Sequence, residues 1–237
     1  MKTERINAIR NYITEHRTVR MEDLQKLYPG LSGMTLRRDL AALEAEGSIT
    51  RTWGGARANL QKNYGSSEDL YENREIESTE SKLLLCKKAL PHIQSKHSIF
   101  LDSGTTVMTL ARMLPDSNLV LFTAAPNIAL DIVARTSLPQ VTLLGGSLSR
   151  TTISCSGREA IDQLRGINID IAIMCTSGYT PENGYTSGNP YESELKAAVI
   201  RKAQQVIMLL ASDKVGRSMP YTFAHDEDID ILITDTL

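Results

Sequence analysis

The 237-residue sequence has little of what marks disulfide-bonded or metal-binding proteins. Its three cysteines, Cys86, Cys155 and Cys175, are far apart and form no C-x-x-C pair, which excludes a disulfide framework and a cysteine zinc motif. The four histidines are isolated as well, so we expect no metal site. Buried, reduced thiols in a reducing cytosol are the expected state of the cysteines.

Long apolar runs and nucleotide-hydrolase motifs are also absent. No apolar stretch reaches the ~18 residues of a membrane span, and charges interrupt the N-terminal segment where a signal peptide needs an apolar run. The sequence contains neither G-x-x-x-x-G-K-[ST] nor G-x-S-x-G, the motifs of P-loop nucleotide hydrolases and serine hydrolases. We therefore expect a soluble, cytoplasmic protein with no membrane partner and no cofactor.

The charge is unevenly distributed, although the formal net charge is only -2. Residues 1–60 contain 10 Lys and Arg against 7 Asp and Glu, which leaves 16 against 21 in the rest of the chain. This asymmetry favours two domains, the first with an anionic partner. A mixed, solvated surface explains the charge equally well when it is considered alone.

Apolar spacing predicts three helices at the N-terminus: one ending near His16, a second from Met21 to Pro29-Gly30, and a third capped by Ser32 and ended by Gly47. The apolar face of the third helix is assigned to Met34, Leu36, Leu40 and Leu43. At ~100° per residue, Arg37 and Arg38 cannot both face that core. Their outward position suits a helix in a DNA major groove, and a surface helix with an Arg38–Asp39 ion pair is the alternative.

Residues 48–58 alternate as in a short β-hairpin, with Gly54-Gly55 expected to provide a turn of positive φ. A helix-turn-helix followed by a basic hairpin is a winged helix, whose hairpin contacts the DNA backbone or the minor groove. Arg51 and Arg57 on the hairpin, together with the two arginines of the third helix, could span one phosphate backbone. Local charge can then drive binding although the whole chain is acidic.

The stretch TLRRDLAALEAEGSITRTWGGA, residues 35–56, resembles the recognition helix and wing of the DeoR family of bacterial transcription regulators. One departure is Trp53, where members of that family commonly carry His; a Trp can pack in the wing or stack near a sugar. The resemblance and the helical pattern together assign DNA binding to Ser32, Met34, Thr35, Arg37, Arg38, Arg51, Trp53, Gly54, Gly55 and Arg57.

A polar stretch, residues 58–78, predicts a connection between a DNA-binding domain, residues 1–57, and a second domain, residues 79–237. The second domain contains six short apolar runs separated by helical patterns, which indicates parallel strands in a layered α/β fold. Ligands of such sheets bind beyond the carboxyl ends of the strands. Five loops should therefore gather at one rim: Asp102–Thr106, Thr123–Ala125, Gly145–Ser147, Cys175–Gly178 and Ser212–Lys214.

The loop Asp102–Thr106 is the sharpest candidate for an anion site. Its glycine, Gly104, lets the backbone approach a ligand, its hydroxyls donate hydrogen bonds, and a helix starting near Thr106 offers free N–H groups, as in a phosphate cradle. An ordinary helix cap is the alternative. Arg150, Lys196 and Lys214 follow other strands and could supply positive charge to the same rim.

This second part also resembles the DeoR effector domain, through LDSGTT, LLGG, GYTSGNPYESELKAAVIRKA, ASDKVG and DIDILITD. The resemblance implies the fold of pentose-phosphate isomerases and CoA transferases, with a sugar-phosphate-like metabolite bound by Ser103–Thr106. The implied effector residues are Asp102, Ser103, Gly104, Thr105, Thr106, Thr123, Gly146, Arg150, Thr176, Gly178, Glu194, Lys196 and Lys214. Two departures from the family pattern lie at Ala124-Ala125, where members often show Asn-Ser, and at Cys175–Gly178, where they often show Gly-Ala-x-Gly. The two alanines remove hydrogen-bonding groups, so an unusual or more weakly bound ligand is expected.

The sequence thus predicts a DNA-binding regulator, a repressor, of a carbohydrate-metabolism operon. It is expected to be controlled by a phosphorylated sugar or a related metabolite and not to be an enzyme itself. Its partner is double-stranded operator DNA, which a homo-dimer or homo-tetramer would contact at repeated half-sites. The alternative is an aldose–ketose isomerase that uses Glu194 as its base, with the N-terminal segment as an appendage.

Overall fold

The computed structural model describes residues 2–16, 18–45, 48–52, 54–58, 70–93 and 98–235. The chain forms two compact units, residues 1–63 and 64–237. Most of the predicted connection, together with Trp53 and Gly47, lies outside the described residues. In the part of the chain that is described, no helix combines the length and the apolar character that crossing a membrane requires.

The first unit is three helices and a small sheet. Its elements are α1 (Lys2–His16), β1 (Thr18–Arg20), α2 (Met21–Leu27), α3 (Gly33–Ala45), β2 (Ile49–Thr52) and β3 (Gly55–Ala58). The three strands pair antiparallel in the order β1-β3-β2, so the predicted hairpin is joined by a strand that the apolar pattern does not reveal. The buried core consists of Ile9, Ile13, Val19, Leu24, Leu36, Leu40, Leu43, Ile49 and Ala56.

Gly55 pairs with Arg20 where β1 meets the hairpin. A Cβ atom at Gly55 would lie 1.9 Å from the carbonyl oxygen of Val19, and the φ of Gly55 is outside the left-handed region. The prediction that this glycine supplies a positive φ is therefore wrong. Close approach of β1 is what requires a glycine there.

The second unit is built on a six-stranded parallel sheet with the order β14-β12-β9-β4-β5-β6. These strands are β4 (Ser98–Leu101), β5 (Val120–Thr123), β6 (Gln140–Leu143), β9 (Ile169–Cys175), β12 (Ala203–Leu210) and β14 (Ile231–Thr234). Each overlaps one of the six predicted apolar runs, and every adjacent pair is parallel. Strand β12 begins at Ala203, in residues that the helical pattern was expected to include. The predicted α/β class is confirmed.

Helices cover both faces of this sheet, because alternate strand residues point to opposite sides. Ile171, Ile173 and Leu209 pack against one layer of helices: α5 (Thr79–Ile93), α6 (Thr105–Ala111) and α7 (Pro126–Arg135). Ala172 and Met174 face the other layer, which contains α8 (Arg158–Gln163) and α9 (Pro190–Lys202). Two small sheets complete the unit: the hairpin β7 (Ser147–Ser149) with β8 (Ser154–Ser156), and the sheet of β10 (Gly178–Thr180), β11 (Gly184–Ser187) and β13 (Tyr221–Ala224).

The second unit also contains a helix that the sequence analysis did not predict. Helix α4 (Tyr71–Ile76) lies inside the stretch that was assigned to the connection. Its first residue is hydrogen-bonded to the β7–β8 hairpin, because the Tyr71 N–H donates to the Thr151 carbonyl at 2.9 Å. The C-terminal end of the predicted connection is therefore structured.

Candidate DNA-binding surface and effector site

Helix α3 begins with the cap that the sequence predicts. The Thr35 N–H donates to the Ser32 hydroxyl at 3.2 Å, and the two side-chain hydroxyls lie 2.9 Å apart. A serine in this position satisfies an N–H that the helix itself cannot bond. Ser32 and Thr35, two predicted DNA contacts, thus fix the N-terminus of the helix.

The first turns of α3 present Met34, Arg37 and Arg38 to solvent. Met34 is 70% exposed, so its assignment to the apolar core face is wrong, whereas its assignment to the DNA-binding set fits this position. Leu36 and Leu40 fill the core on the opposite side of the helix. Two arginines and a methionine at the start of a helix are available for base edges and phosphates.

Asp39 is only 1% exposed and accepts a bidentate ion pair from Arg5 of α1. The Arg5 Nε and Nη2 atoms lie 2.8 Å and 3.0 Å from the two carboxylate oxygens. The alternative of an Arg38–Asp39 surface pair is not what the structure shows, because Asp39 pairs with Arg5. Because Asp39 turns inward to α1, the outward Arg38 is not committed to it.

The hairpin carries a second ion pair, between Arg51 and Glu44. The Arg51 Nε lies 2.6 Å from a Glu44 carboxylate oxygen, and the Arg51 N–H donates to the other oxygen at 2.8 Å. The hydrogen bond from the Arg51 backbone, reinforced by its guanidinium, lowers the pKa of Glu44. Gly54 is exposed at the hairpin turn, while Trp53 and the Arg57 side chain lie outside what the structure describes.

In the second unit, the five predicted rim loops follow the carboxyl ends of β4, β5, β6, β9 and β12. All five strands belong to one parallel sheet, so their carboxyl ends lie at the same edge. The Asp102 N–H donates to the Ile173 carbonyl at 3.0 Å, and the Leu144 N–H donates to the Thr123 carbonyl at 2.8 Å, so neighbouring loops are joined there.

Asp102 and Lys196 form a buried ion pair at the centre of this edge, and Lys196 is 7% exposed. The same Asp102 carboxylate accepts the Ser103 N–H at 2.8 Å and the Cys175 N–H at 3.0 Å. Lys196 also donates to the Cys175 carbonyl at 3.1 Å and lies over the Phe223 ring. Three segments far apart in sequence therefore converge on one carboxylate.

Burial of Lys196 by itself lowers its pKa, but the adjacent Asp102 carboxylate outweighs this effect and leaves the pKa raised. Burial raises the pKa of the Cys175 thiol to about 12, reinforced by the charge of Asp102. The site therefore holds a charged lysine and a protonated cysteine at neutral pH. Cys86 and Cys155 are buried as expected, whereas Cys175 is only half-buried, so the expectation of a fully buried thiol is wrong at that position.

Gly104 lies in a conformation that favours glycine, with φ of 139°. A Cβ atom there would approach the Cys175 sulfur to 2.7 Å. Thr105, the first residue of α6, is buried, and Thr106 is half-buried. The loop is therefore shaped around Cys175, one of the departures that the sequence analysis noted.

A pocket with about 250 Å³ of empty space, part of it open to solvent, adjoins this ion pair. It is lined by Phe100, Asp102, Ser103, Ala124, Ser154, Cys155, Glu192, Leu195 and Lys196. Its second carboxylate belongs to Glu192, which accepts hydrogen bonds from the hydroxyls of Thr152 and Ser154. Glu194, the predicted residue, is exposed on α9 and does not line the pocket.

Helix phase explains this difference, because Asn189 caps α9 and Glu192 lies one turn before Lys196 on the same face. Sequence reasoning missed Glu192, although its spacing from Leu195 and Val199 was a usable signal.

The remaining predicted effector residues have local roles. The Thr123 hydroxyl accepts the Ala125 N–H at 3.1 Å, and the Thr176 hydroxyl bonds to backbone atoms of Gly178 and Thr186. A Cβ atom at Gly146 would lie 2.4 Å from the Ser156 carbonyl oxygen. These residues shape the rim without lining the pocket.

Two predicted cations also lie outside the pocket lining. Arg150 is exposed at the turn of the β7–β8 hairpin. Lys214 pairs with Asp213 at 2.9 Å. Lys196 is therefore the predicted cation that the pocket includes.

Two family models match this arrangement. Residues 5–62 match the DeoR-like helix-turn-helix domain, and residues 77–236 match the DeoR C terminal sensor domain. The chain belongs to the DeoR family. Within it, α3 and the hairpin lie in the helix-turn-helix domain of a DNA-binding regulator, and the Asp102–Lys196 pair lies in the sensor domain.

Relatives of this DeoR-family chain are transcriptional regulators. It is 32% identical over 207 residues to the regulator GlpR of Haloferax volcanii, covering 87% of this chain and 79% of that protein. It is 30% identical to the repressor GlcR of Bacillus subtilis, covering 99% and 88%. It is 28% identical to the L-fucose operon activator of Escherichia coli, covering 99% and 96%.

Solved structures that resemble the DeoR-family chain do so distantly. A D-ribose-5-phosphate isomerase in complex with phospho-erythronic acid has a TM-score of 0.42 and 18% identity, over 57% of this chain and 53% of that one. A probable sor operon regulator from Shigella flexneri has a TM-score of 0.41 and 13% identity, over 72% and 87%.

Proposed function

We propose that this protein is a repressor of a carbohydrate-metabolism operon that acts in the cytoplasm and whose operator binding is controlled by a phosphorylated sugar. The observation that carries the proposal is the arrangement of α3, which buries Leu36 and Leu40 while Arg37 and Arg38 are exposed near its N-terminus. That arrangement suits the major groove of double-stranded DNA. Residues 1–57 would bind DNA, residues 79–237 would sense the effector, and residues 58–78 would join them.

The names of relatives support the repressor and the sugar. The chain is similar to the repressor GlcR and to a putative aga operon repressor of Escherichia coli O157:H7. An activator is the second candidate, because an L-fucose operon activator is similar over 99% of the chain. Transcription from the target promoter after deletion of the gene separates the two, since it rises for a repressor and falls for an activator.

A homo-dimer or homo-tetramer is part of this proposal. One winged helix covers a single half-site, and regulators gain specificity by pairing half-sites about one helical turn apart. Two-fold-related recognition helices would then read repeated sequences. Ligand and DNA must favour different conformations or subunit arrangements for the effector to control binding.

A regulator rather than an isomerase is supported by the position of Glu194. The isomerase alternative assigned it as the base, but Glu194 is exposed, and the pocket carboxylate Glu192 is bonded to two hydroxyls. We propose that the protein does not turn over its ligand. Incubation with D-ribose 5-phosphate, followed by assay for the ketose, tests this directly.

The effector site we propose is the rim around Ser103–Thr106 and the Asp102–Lys196 pair. Thermal unfolding of the purified chain tests it against D-ribose 5-phosphate, D-glucose 6-phosphate, D-fructose 1-phosphate, phosphorylated polyols and sugar acids, each beside its unphosphorylated form. A ligand at ~100 Kd adds about 2.7 kcal/mol of stability. A shift confined to phosphorylated compounds supports the proposal, and a shift only with unphosphorylated ones contradicts it.

A further inference from the structure

The effector pocket carries a negative charge that its own lining does not balance. Three of the lining side chains carry a formal charge: the carboxylates of Asp102 and Glu192 and the ammonium of Lys196. Two negative charges against one positive charge leave a net charge of -1. Because Lys196 is paired with Asp102, the excess charge is centred on Glu192.

Both the backbone and the side chain of Glu192 are held in place. The Glu192 N–H donates to the side chain of Asn189, which caps α9, at 3.3 Å. Glu192 is only 4% exposed, and one of its carboxylate oxygens accepts hydrogen bonds from the hydroxyls of Thr152 and Ser154. These two hydroxyls lie 2.9 Å from each other. The carboxylate is therefore a fixed part of the pocket wall.

The surroundings of Glu192 favour its charged form. Hydrogen bonds donated to a carboxylate stabilise the ionised state. The ammonium of Lys196 acts in the same direction, because it lies one turn further along the same face of α9. The pocket thus presents a negative charge to whatever enters it.

A fixed negative charge discriminates between ligands by the charge that they carry. Lys196 offers an anion little compensation, because its ammonium already donates to Asp102 and to the Cys175 carbonyl. Glu192 would repel a ligand carboxylate, accept a hydrogen bond from a hydroxyl, and form a stronger, charge-assisted bond with an ammonium. The phosphate of an effector therefore fits the loop Ser103–Thr106 better than the neighbourhood of Glu192.

We propose that Glu192 is a specificity-determining residue of the effector site. It makes the pocket favour an amino sugar phosphate over the corresponding neutral sugar phosphate and exclude the corresponding sugar acid phosphate. The sugar end of the ligand occupies the pocket, with its ammonium against Glu192, and the phosphate lies at Ser103–Thr106. This inference rests on the proposed function and narrows the effector class by the charge of the sugar.

Calorimetric titration of the full chain with three compounds tests the proposal: D-glucosamine 6-phosphate, D-glucose 6-phosphate and 6-phospho-D-gluconate. They share a six-carbon chain and a phosphate, and their sugar ends are positive, neutral and negative. The wild type should bind the amino sugar at least about tenfold more tightly than the neutral sugar, and the acid at least about tenfold more weakly than the neutral sugar.

Glu192→Gln removes the charge and keeps an oxygen for the hydroxyls of Thr152 and Ser154. In this variant the affinity ratio of amino to neutral sugar should fall to near one, and the acid should gain relative to the neutral sugar. Each ratio compares ligands on the same protein, so a general loss of affinity does not imitate this result. Glu194→Gln makes the same change on the exposed face of α9 and is the matched control, which should keep both wild-type ratios.

The outcomes separate this inference from the proposed function. If the wild type binds the compounds in any order other than amine, neutral sugar and acid, the inference is wrong and the proposed function stands, whether or not the variant folds. Wild-type ratios in Glu192→Gln would show that another group selects the ligand.

Failure to bind is informative as well. If the wild type binds none of the three compounds but another phosphorylated compound raises its unfolding temperature, the inference alone fails. If no phosphorylated compound binds at all, the proposed effector class fails, and the inference fails with it.

Discussion

The two units of this regulator use charged residues in opposite ways. In the first unit, Arg37 and Arg38 are exposed, while in the second, Asp102 and Lys196 are buried beside a pocket. Exposed arginines keep their hydration and are available to a polyanion. A buried pair is fixed in place and can select a small ligand by geometry. Reading DNA and sensing a metabolite therefore require different locations for charge.

We predict the largest loss of stability for the buried Asp102–Lys196 pair. Lys196→Met removes the cation from Asp102 in a site shielded from water and should destabilise the protein by about 3–5 kcal/mol. Urea unfolding followed by circular dichroism measures this loss. Lys202→Met is the matched control on the same helix, since the Lys202 head group is exposed and its loss should be within about 0.5 kcal/mol. Equal losses would mean that the Asp102 pair is no more important than a surface charge.

The first unit contains a similar ion pair, for which we predict a smaller loss of stability. Asp39 is buried in this pair, while its partner Arg5 is partly exposed. Asp39→Asn leaves an arginine that can turn to water, so we expect less than half the loss caused by Lys196→Met. Urea unfolding followed by circular dichroism measures this loss as well. Glu44→Gln, which breaks the exposed pair with Arg51, should leave the midpoint unchanged. A loss larger than that of Lys196→Met would reverse the comparison.

Ionisation of the Cys175 thiol tests how far the sensor site is shielded from solvent, and we expect it to change the stability less than the substitutions above do. Its pKa is raised from 9.0 to about 12, so the thiol contributes stability that is complete below pH 9 and is lost as the pH rises toward 12. At pH 8 only about 10⁻⁴ of such a thiol is ionised. Iodoacetamide should therefore label Cys175 at least about a hundredfold more slowly in the native protein than in urea, as measured by mass spectrometry. Equal labelling rates would show that the site is open.

The same contrast explains what the sequence could predict. Helix phase placed Arg37 and Arg38 outward, because exposure on a helix follows from a local repeat. Apolar runs located all six strands of the parallel sheet, because strands buried on both faces are continuously apolar. The contact between Asp102 and Lys196 joins residues 94 positions apart, and no local repeat encodes it.

Short elements with few buried residues were the main failures. In β1, only Val19 is buried, and three residues are too few for alternation to be recognised. Helix α4 has six residues in a polar stretch, and its position depends on Thr151 and Lys82, which lie elsewhere in the chain. The prediction of Glu194 as a site residue was wrong because Glu194 lies on the exposed face of α9. Glu192 lies on the buried face, three residues before the buried Leu195.

We propose that the first unit reads DNA through α3 and that the second senses a phosphorylated sugar through the rim. The most direct test is a fluorescence anisotropy titration with a DNA site that the wild type selects from a random pool, with and without the sugar phosphate that stabilises it. We predict that Arg38→Ala weakens DNA binding at least about tenfold but keeps the thermal shift, whereas Thr105→Ala binds DNA normally and no longer responds. An Arg38→Ala variant that binds DNA as before would show that α3 does not read DNA, and a Thr105→Ala variant that still responds would show that the rim does not bind the effector.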